Sequence, residues 1–341
     1  MATMREIANL GNVSISTVSR ALYNPSLVKK ETRDRILQIA KDNNYVLNEM
    51  ARGLVTHKSN SIGLLIPTIT HSIFAMSTRG IQDYAESRGY QIIYGNTNYE
   101  SEKEFDLVQN FQKRRIEGIV LTGLPKMEKT IAVLREAAIP FVVTWETVED
   151  SNINMVSFDN FTSSYEATEL LINLGHQRIA MIPGVFSVSE RAFRRWKGYK
   201  KCLEDHGIQY DANLVIEKMY SFYNGKEAMT SLLKQQPTAV FCGTDVTAVG
   251  ALHAIHNAGL RVPDDISVIG YDDSEYAAFT YPPLTTVRIP SYEMGELAAK
   301  VLLELITGNS DRVQRYVLDT ELVMRQSVGP AKGVGKLTTP G

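Results

Sequence analysis

Two periodicities divide the chain and predict its fold class: a small all-α helix-turn-helix head, followed by an α/β body of two doubly wound parallel-sheet lobes. Apolar residues recur at helical spacing through residues 1–45, whereas from Ser61 onward short β-rich runs alternate with helical stretches. An internal echo is the third observation. The runs 62–67, 118–122 and 139–145 are matched in kind and spacing by 179–184, 238–243 and 266–271, so one lobe is expected mainly from 61–160 and a similar one from 161–287.

In the head, Thr3 followed by Glu6 is a capping box, with Met4, Ile7 and Ala8 on one stripe. Gly11, Asn12 and Val13 make the turn. Ser14 then caps a second helix whose Val18, Ala21 and Leu22 face inward while Ile15, Ser16, Ser19 and Arg20 face outward, with Thr17 in the same first turn. Short hydroxyls, one apolar side chain and one arginine suit a DNA major groove, where hydroxyls reach base edges and arginine grips guanine or phosphate. A third stretch, 31–44 with Ile36, Ile39 and Ala40, would close a three-helix core. On spacing alone, a helical bundle with merely solvated polar faces competes with this reading.

The residues Met4-Arg5-Glu6-Ile7-Ala8, Val13 to Leu22, Glu31 to Ile36 and Asn44-Tyr45 resemble the N-terminus of the lactose/galactose repressor (LacI/GalR) family, and the similarity runs on to about residue 328. Two departures stand out: Gly11-Asn12 where the family has Ala-Gly, and Leu47 where it has proline before Asn48. Asparagine accepts left-handed backbone, so the turn should survive. The resemblance implies a periplasmic-binding-protein-like body, a dimer over a pseudo-palindromic operator in double-stranded DNA, and a small effector between the lobes. It also divides the chain: DNA-binding domain 1–45, hinge 46–60, effector-binding and dimerisation domain 61–328, and a disordered tail 329–341 rich in Gly, Lys, Thr and Pro.

A chain of 341 residues, 44% hydrophobic, is large enough for a small domain and one or two larger ones. The net charge of −2 hides an asymmetry: residues 1–58 hold nine Lys/Arg against five Asp/Glu, leaving 27 against 33 in the rest. A basic head on an acidic body fits a polyanion held at one end. Cys202 and Cys242 have no metal-ligand spacing and read as reduced thiols. No run approaches membrane-spanning length and no signal segment opens the chain, so a cytoplasmic protein without a membrane partner is expected.

Residues 46–60 form the hinge. About two turns from Asn48 to Leu54, weakened by Gly53, are too short to be a stable helix alone. The resemblance implies that such a helix folds over the operator centre and inserts a leucine at the minor groove, at the position of Leu54 here. An inert linker with Leu54 packed on the body is the alternative.

Ligands of parallel sheets bind beyond the carboxyl ends of strands. There the sequence places Phe74, Trp145-Glu146, Asp159-Asn160, Asp245 and Asp272-Asp273, with Arg191, Arg194, Arg195 and Lys197 clustered between a strand and a helix. The resemblance makes Arg195 the effector-gripping arginine, Asp272 its acidic counterpart, and Phe74, Trp145 and Phe222 the walls. Arg191 and Arg194 fit a solvated surface equally well, and Asp159, Asp245 and Asp273 fit helix caps equally well. The excess positive charge points to an anionic effector, a sugar acid such as gluconate, and the stretches 156–161 and 221–225 resemble the gluconate-type repressors.

No phosphate loop, paired-histidine metal helix or nucleophile elbow is present in the sequence, so neither catalysis nor a metal or other cofactor is expected. The function expected is a ligand-controlled DNA-binding regulator, a repressor. The competing class is a sugar-binding protein or sugar-processing enzyme of the same α/β shape.

Overall fold

A computed structural model describes residues 2–45, 59–310 and 312–332. The head consists of α1 (Met4–Gly11), α2 (Ile15–Tyr23) and α3 (Lys30–Asp42). The capping box is complete, the Thr3 N–H donating to Glu6 Oε2 at 2.7 Å and the Glu6 N–H to Thr3 Oγ1 at 3.3 Å. Asn12 sits in the left-handed region at φ 47°, so the departure from Ala-Gly keeps the turn. Ile7, Ala8, Val18, Ala21, Ile36 and Ala40 close the core between the three helices.

The hinge expected at 46–60 falls mostly on 46–58, outside the described residues, and Leu54 with it. The body begins where Ser59 Oγ donates to the Arg115 carbonyl and the Asn60 N–H to Glu117 Oε1 at 2.6 Å.

The first lobe contains β1 (Ser61–Ile66), α4 (Ser72–Glu86), β2 (Gln91–Asn96), α5 (Ser101–Lys113), β3 (Gly118–Thr122), α6 (Glu128–Glu136), β4 (Phe141–Thr144) and β5 (Met155–Phe158). The second contains α7 (Asn160–Asn173), β6 (Ile179–Ile182), α8 (Glu190–Asp205), α9 (Phe222–Leu232), β7 (Ala239–Cys242), α10 (Asp245–Asn257), β8 (Ser267–Ile269) and β9 (Thr286–Arg288). The chain then returns: α11 (Ser291–Ile306) packs on α4, β10 (Arg315–Leu318) joins the first sheet, and β11 (Glu321–Val323) pairs antiparallel with β9.

The first sheet is wholly parallel in the order β10-β5-β4-β3-β1-β2, and the second runs β6-β7-β8. The internal echo is therefore structural: β1, β3 and β4 are neighbours in the order in which β6, β7 and β8 are neighbours. Even the flanks correspond. Val215 bridges β6 in parallel, where β2 lies beside β1, and Thr285 bridges β8, where β5 lies beside β4.

After Leu318 the chain leaves the first sheet and crosses to the second lobe, where β11 pairs with β9. The expectation of a disordered tail from Gly329 is corrected for residues 329–332: the Gly329 N–H donates to Ser267 Oγ, the Ala331 N–H donates to the Leu174 carbonyl, and Lys332 pairs with Asp265. His176 secures this segment, with Nδ1 3.0 Å from Thr238 Oγ1 and Nε2 3.0 Å from the Gly329 carbonyl oxygen. Residues 333–341 lie outside the described residues.

The return of α11 onto α4 depends on two glycines at the helix contact. A Cβ on Gly295 would lie 2.0 Å from the Ser77 carbonyl oxygen, and one on Gly80 would lie 2.1 Å from that of Tyr292. Backbone cannot yield as a flexible side chain does, so Gly295→Ala should separate the helices and destabilise the body by about 2–3 kcal/mol. Thermal unfolding measures this; an unchanged melting temperature would show that the contact is not needed.

Candidate functional site

Two regions carry the residues singled out above. On the head, Ser14 caps α2, its Oγ accepting from the Thr17 N–H at 3.1 Å and lying 2.7 Å from Ser16 Oγ and 2.8 Å from Thr17 Oγ1. Val18 and Ala21 are buried beneath; Ser14, Ile15, Ser16 and Arg20 are exposed, and Thr17 and Ser19 are half-buried. The Arg20 guanidinium makes no hydrogen bond or ion pair among the described residues. The sequence thus presents a rigid short helix with its outward face uncommitted.

The second region is the cleft between the lobes. The first lobe contributes His71 and Phe74 after β1, Tyr99 after β2, Trp145 after β4 and Phe158 at the end of β5. The second contributes Arg191 and Arg195, one turn apart on α8, with Tyr220, Thr244, Asp272 and Ser274. Phe74 meets Trp145 edge-on at 5.0 Å, and Trp145 meets Phe158 edge-on at 6.0 Å, forming a continuous aromatic wall.

Arg195 is buried opposite that wall. Its guanidinium stacks 4.4 Å from the Tyr271 ring centroid and donates through Nη2 to Tyr220 Oη at 3.1 Å, while its Nε has no partner. Asp272 is also buried, with φ 114°, and its carboxylate makes no hydrogen bond or ion pair among the described residues. Burial, reinforced by the nearby Asp245, pushes its pKa well above the usual carboxylate range despite Arg195 and Arg191. The arginine and the aspartate thus share a cleft without pairing, each short of partners that a polar ligand supplies.

Four of the five expected effector residues, Phe74, Trp145, Arg195 and Asp272, converge here. Phe222 does not, which corrects the expectation. The Ser221 hydroxyl caps α9 and turns Phe222 outward, 52% exposed, with its ring 6.1 Å from Tyr276. Tyr220, beside Arg195, is the aromatic that the second lobe brings to the cleft instead. The open alternatives divide. Asp159 caps α7; Asp245 accepts from the Ser274 N–H (2.7 Å) and Thr286 Oγ1 (2.6 Å); Asp273 is paired with Arg325 and Arg288. Arg194 pairs with Glu190 and bonds Thr147, whereas Arg191 is buried in the cleft.

Sequence reasoning missed His71, Tyr99, Tyr220 and Thr244. Tyr99 follows β2, whose run Gln91-Ile-Ile-Tyr was a usable strand signal. Tyr220 lies in an irregular segment that no periodicity announces.

Past Arg191 the cleft continues over α5, where Glu104 is held up at about 7 by burial and by the neighbouring Glu146. Glu146 is itself raised by burial, although Arg191 and the Leu124 N–H favour its charge. An acid whose folded pKa is raised opposes folding as pH climbs from its unfolded value of 4.5 through 7. Glu104→Gln removes that penalty, so it should raise the melting temperature at pH 8 and have progressively less effect toward pH 5. An equal effect at both pH values would contradict the assignment.

Comparison with known proteins places this geometry. Residues 3–48 match the family model described as bacterial regulatory proteins, lacI family, and residues 168–328 match a periplasmic binding protein-like domain. The chain is 36% identical over 335 residues to the probable HTH-type transcriptional repressor ExuR of Bacillus subtilis, covering 96% of this chain and 98% of that protein. It is 33% identical over 331 residues to the ribose operon repressor of Haemophilus influenzae, covering 96% and 99%. Among solved structures, the lac repressor dimer bound to operator and the anti-inducer ONPF aligns with a TM-score of 0.86 at 28% identity, covering 96% of this chain and 99% of that one. A cellobiose complex of the regulator CelR aligns at 0.72 with 29% identity, covering 96% and 100%. Head, cleft and full-length relatives agree: the chain belongs to the LacI family of DNA-binding transcriptional repressors, and it is a regulator, not an enzyme.

Proposed function

We propose that this repressor reads a pseudo-palindromic operator with two copies of α2 and is controlled by a sugar acid, such as gluconate, held between Arg195 and Asp272. The observation that carries the effector reading is the cleft itself, with two buried arginines, one buried unpaired carboxylate and an aromatic wall. Rings cover the C–H faces of a sugar, Asp272 accepts its hydroxyls, and the arginine excess takes its carboxylate. Wall and charges come from different lobes, so a ligand touching both favours their closed placement. That differential affinity is what couples effector to DNA.

On the head, Ser14, Ile15, Ser16, Thr17, Ser19 and Arg20 are the residues proposed to meet DNA. One short helix reads few base pairs, so a homodimer is required. A seat for the second copy is offered by exposed aromatics on the second lobe: Phe222, Tyr223, Phe279 and Tyr281, the last 97% exposed. Residues 46–60 are proposed as the hinge, with Leu54 as its minor-groove wedge. Among the described residues no helix is long and apolar enough to cross a membrane, and a DNA partner supports the reading of a cytoplasmic protein.

Fluorescence anisotropy of a labelled duplex from the protein's own upstream region, titrated with and without gluconate and neutral sugars, tests the whole reading. Tight binding that gluconate alters and neutral sugars do not is the expected result; a response to neutral sugars alone would refute the acid. Arg195→Ala should retain operator affinity and lose the effector response, its binding weakened ~100-fold by the loss of charge-assisted bonds. Arg20→Ala should cost about 1–3 kcal/mol of operator affinity, and unchanged binding would remove it from the interface.

A further inference from the structure

The cleft does not end at the aromatic wall. Tyr99 and Arg191 line both the effector pocket and a second compartment beyond it, of about 240 Å³. A whole drug-sized ligand fills roughly 300–1,000 Å³, so this space suits one part of a ligand that continues into the effector pocket. Its floor is Thr97, Ser101 and Glu104; Glu146 and the start of α8 form its sides. Lys126 Nζ donates to the Ser187 carbonyl between a first-lobe loop and a second-lobe loop, so this space too lies between the lobes.

Arg191 points to an occupant. The side chain is 8% exposed and its guanidinium lies 5.7 Å over the Phe74 ring, yet it makes no hydrogen bond or ion pair among the described residues. A buried guanidinium keeps its charge and is costly without an anion to complete it. Around it, the Glu104 carboxylate makes no hydrogen bond or ion pair among the described residues, and Glu146 accepts from the Leu124 N–H at 3.4 Å. These are acceptors waiting for hydroxyl donors.

We propose that the cleft takes an acidic disaccharide, with one sugar between Arg195 and Asp272, a carboxylate against Arg191, and hydroxyls of the second sugar donated to Glu104 and Glu146. This deepens the reading of the cleft as the effector site and rests on it. The second sugar meets α5 on one lobe and the start of α8 on the other, so it adds to the preference for the closed placement.

Calorimetry on the full-length protein tests this with cellobionate, digalacturonate, gluconate, galacturonate and neutral cellobiose. An acidic disaccharide should bind at least about tenfold more tightly than the monosaccharide acids, as two further bonds to charged carboxylates allow. Ser101→Trp fills the second compartment and should remove that advantage, with operator binding showing that the variant folds. Arg191→Met should abolish the preference for the acidic disaccharide over cellobiose. Gluconate binding normally while both acidic disaccharides bind no better overturns the second compartment and leaves the effector site standing. Cellobiose matching the acids overturns the carboxylate at Arg191. If no sugar or acid binds, both readings fall together.

Discussion

A guanidinium cannot shed its proton to escape burial, so Arg195 must be compensated where it stands. The fold does so in part. Tyr271 offers its ring face and Tyr220 its hydroxyl, and Ser164 Oγ donates to the Arg195 backbone carbonyl at 2.6 Å. Tyr271 is fixed in turn by its hydroxyl, 2.6 Å from Ser163 Oγ. None of these groups carries an opposite charge, and Asp272 stays unpaired. The deficit is concentrated at the one place where the lobes face each other, which makes ligand binding and lobe placement a single event.

The backbone supports that arrangement with strain placed where it serves recognition. Tyr99, Trp145, Asp272 and Asp273 all take positive φ, at 63°, 70°, 114° and 53°, and each follows a strand of the parallel sheets. Side chains other than glycine pay for such conformations, so each must be held. Asn160 Nδ2 donates to the Trp145 carbonyl, the Asp272 N–H donates to the Val287 carbonyl, and buried Asp245 accepts from the Ser274 N–H. Asp273, through Arg288 and Arg325, ties the same loop to β9 and the segment after β11. The groups facing the ligand are thus aimed before it arrives.

How far this was legible in the sequence depended on whether a signal was local. Capping and periodicity are properties of a few consecutive residues, so α1, α2 and the core under them could be read directly, including the tolerance of Asn12 for its turn. The duplicated strands were legible because β-rich runs at matched spacings repeat a whole supersecondary unit. Long-range facts were not. Phe222 was misplaced because the capping serine between it and Tyr220 starts the helix there and leaves Phe222 outward, and the pattern of aromatics does not encode that choice. Arg191 and Arg194 looked alike in sequence; only the helix axis and the neighbouring lobe bury one and leave the other to Glu190 and Thr147.

Regulation requires a route from this cleft to the head, and the connectivity narrows it. The chain passes between lobes three times, after β5, after β9 and between β10 and β11, so relative motion of the lobes bends three short segments beside the cleft. The chain enters the body at the start of β1, where Ser59 and Asn60 are tied to Arg115 and Glu117 of the first lobe. The same strand leads at its other end to His71 and Phe74. A ligand that draws Arg195 toward Phe74 and Trp145 therefore acts on the lobe through which the chain from the head enters the body. The effector needs no contact with the DNA-binding residues. It has only to favour one lobe placement by more than the cost of bending those three crossings.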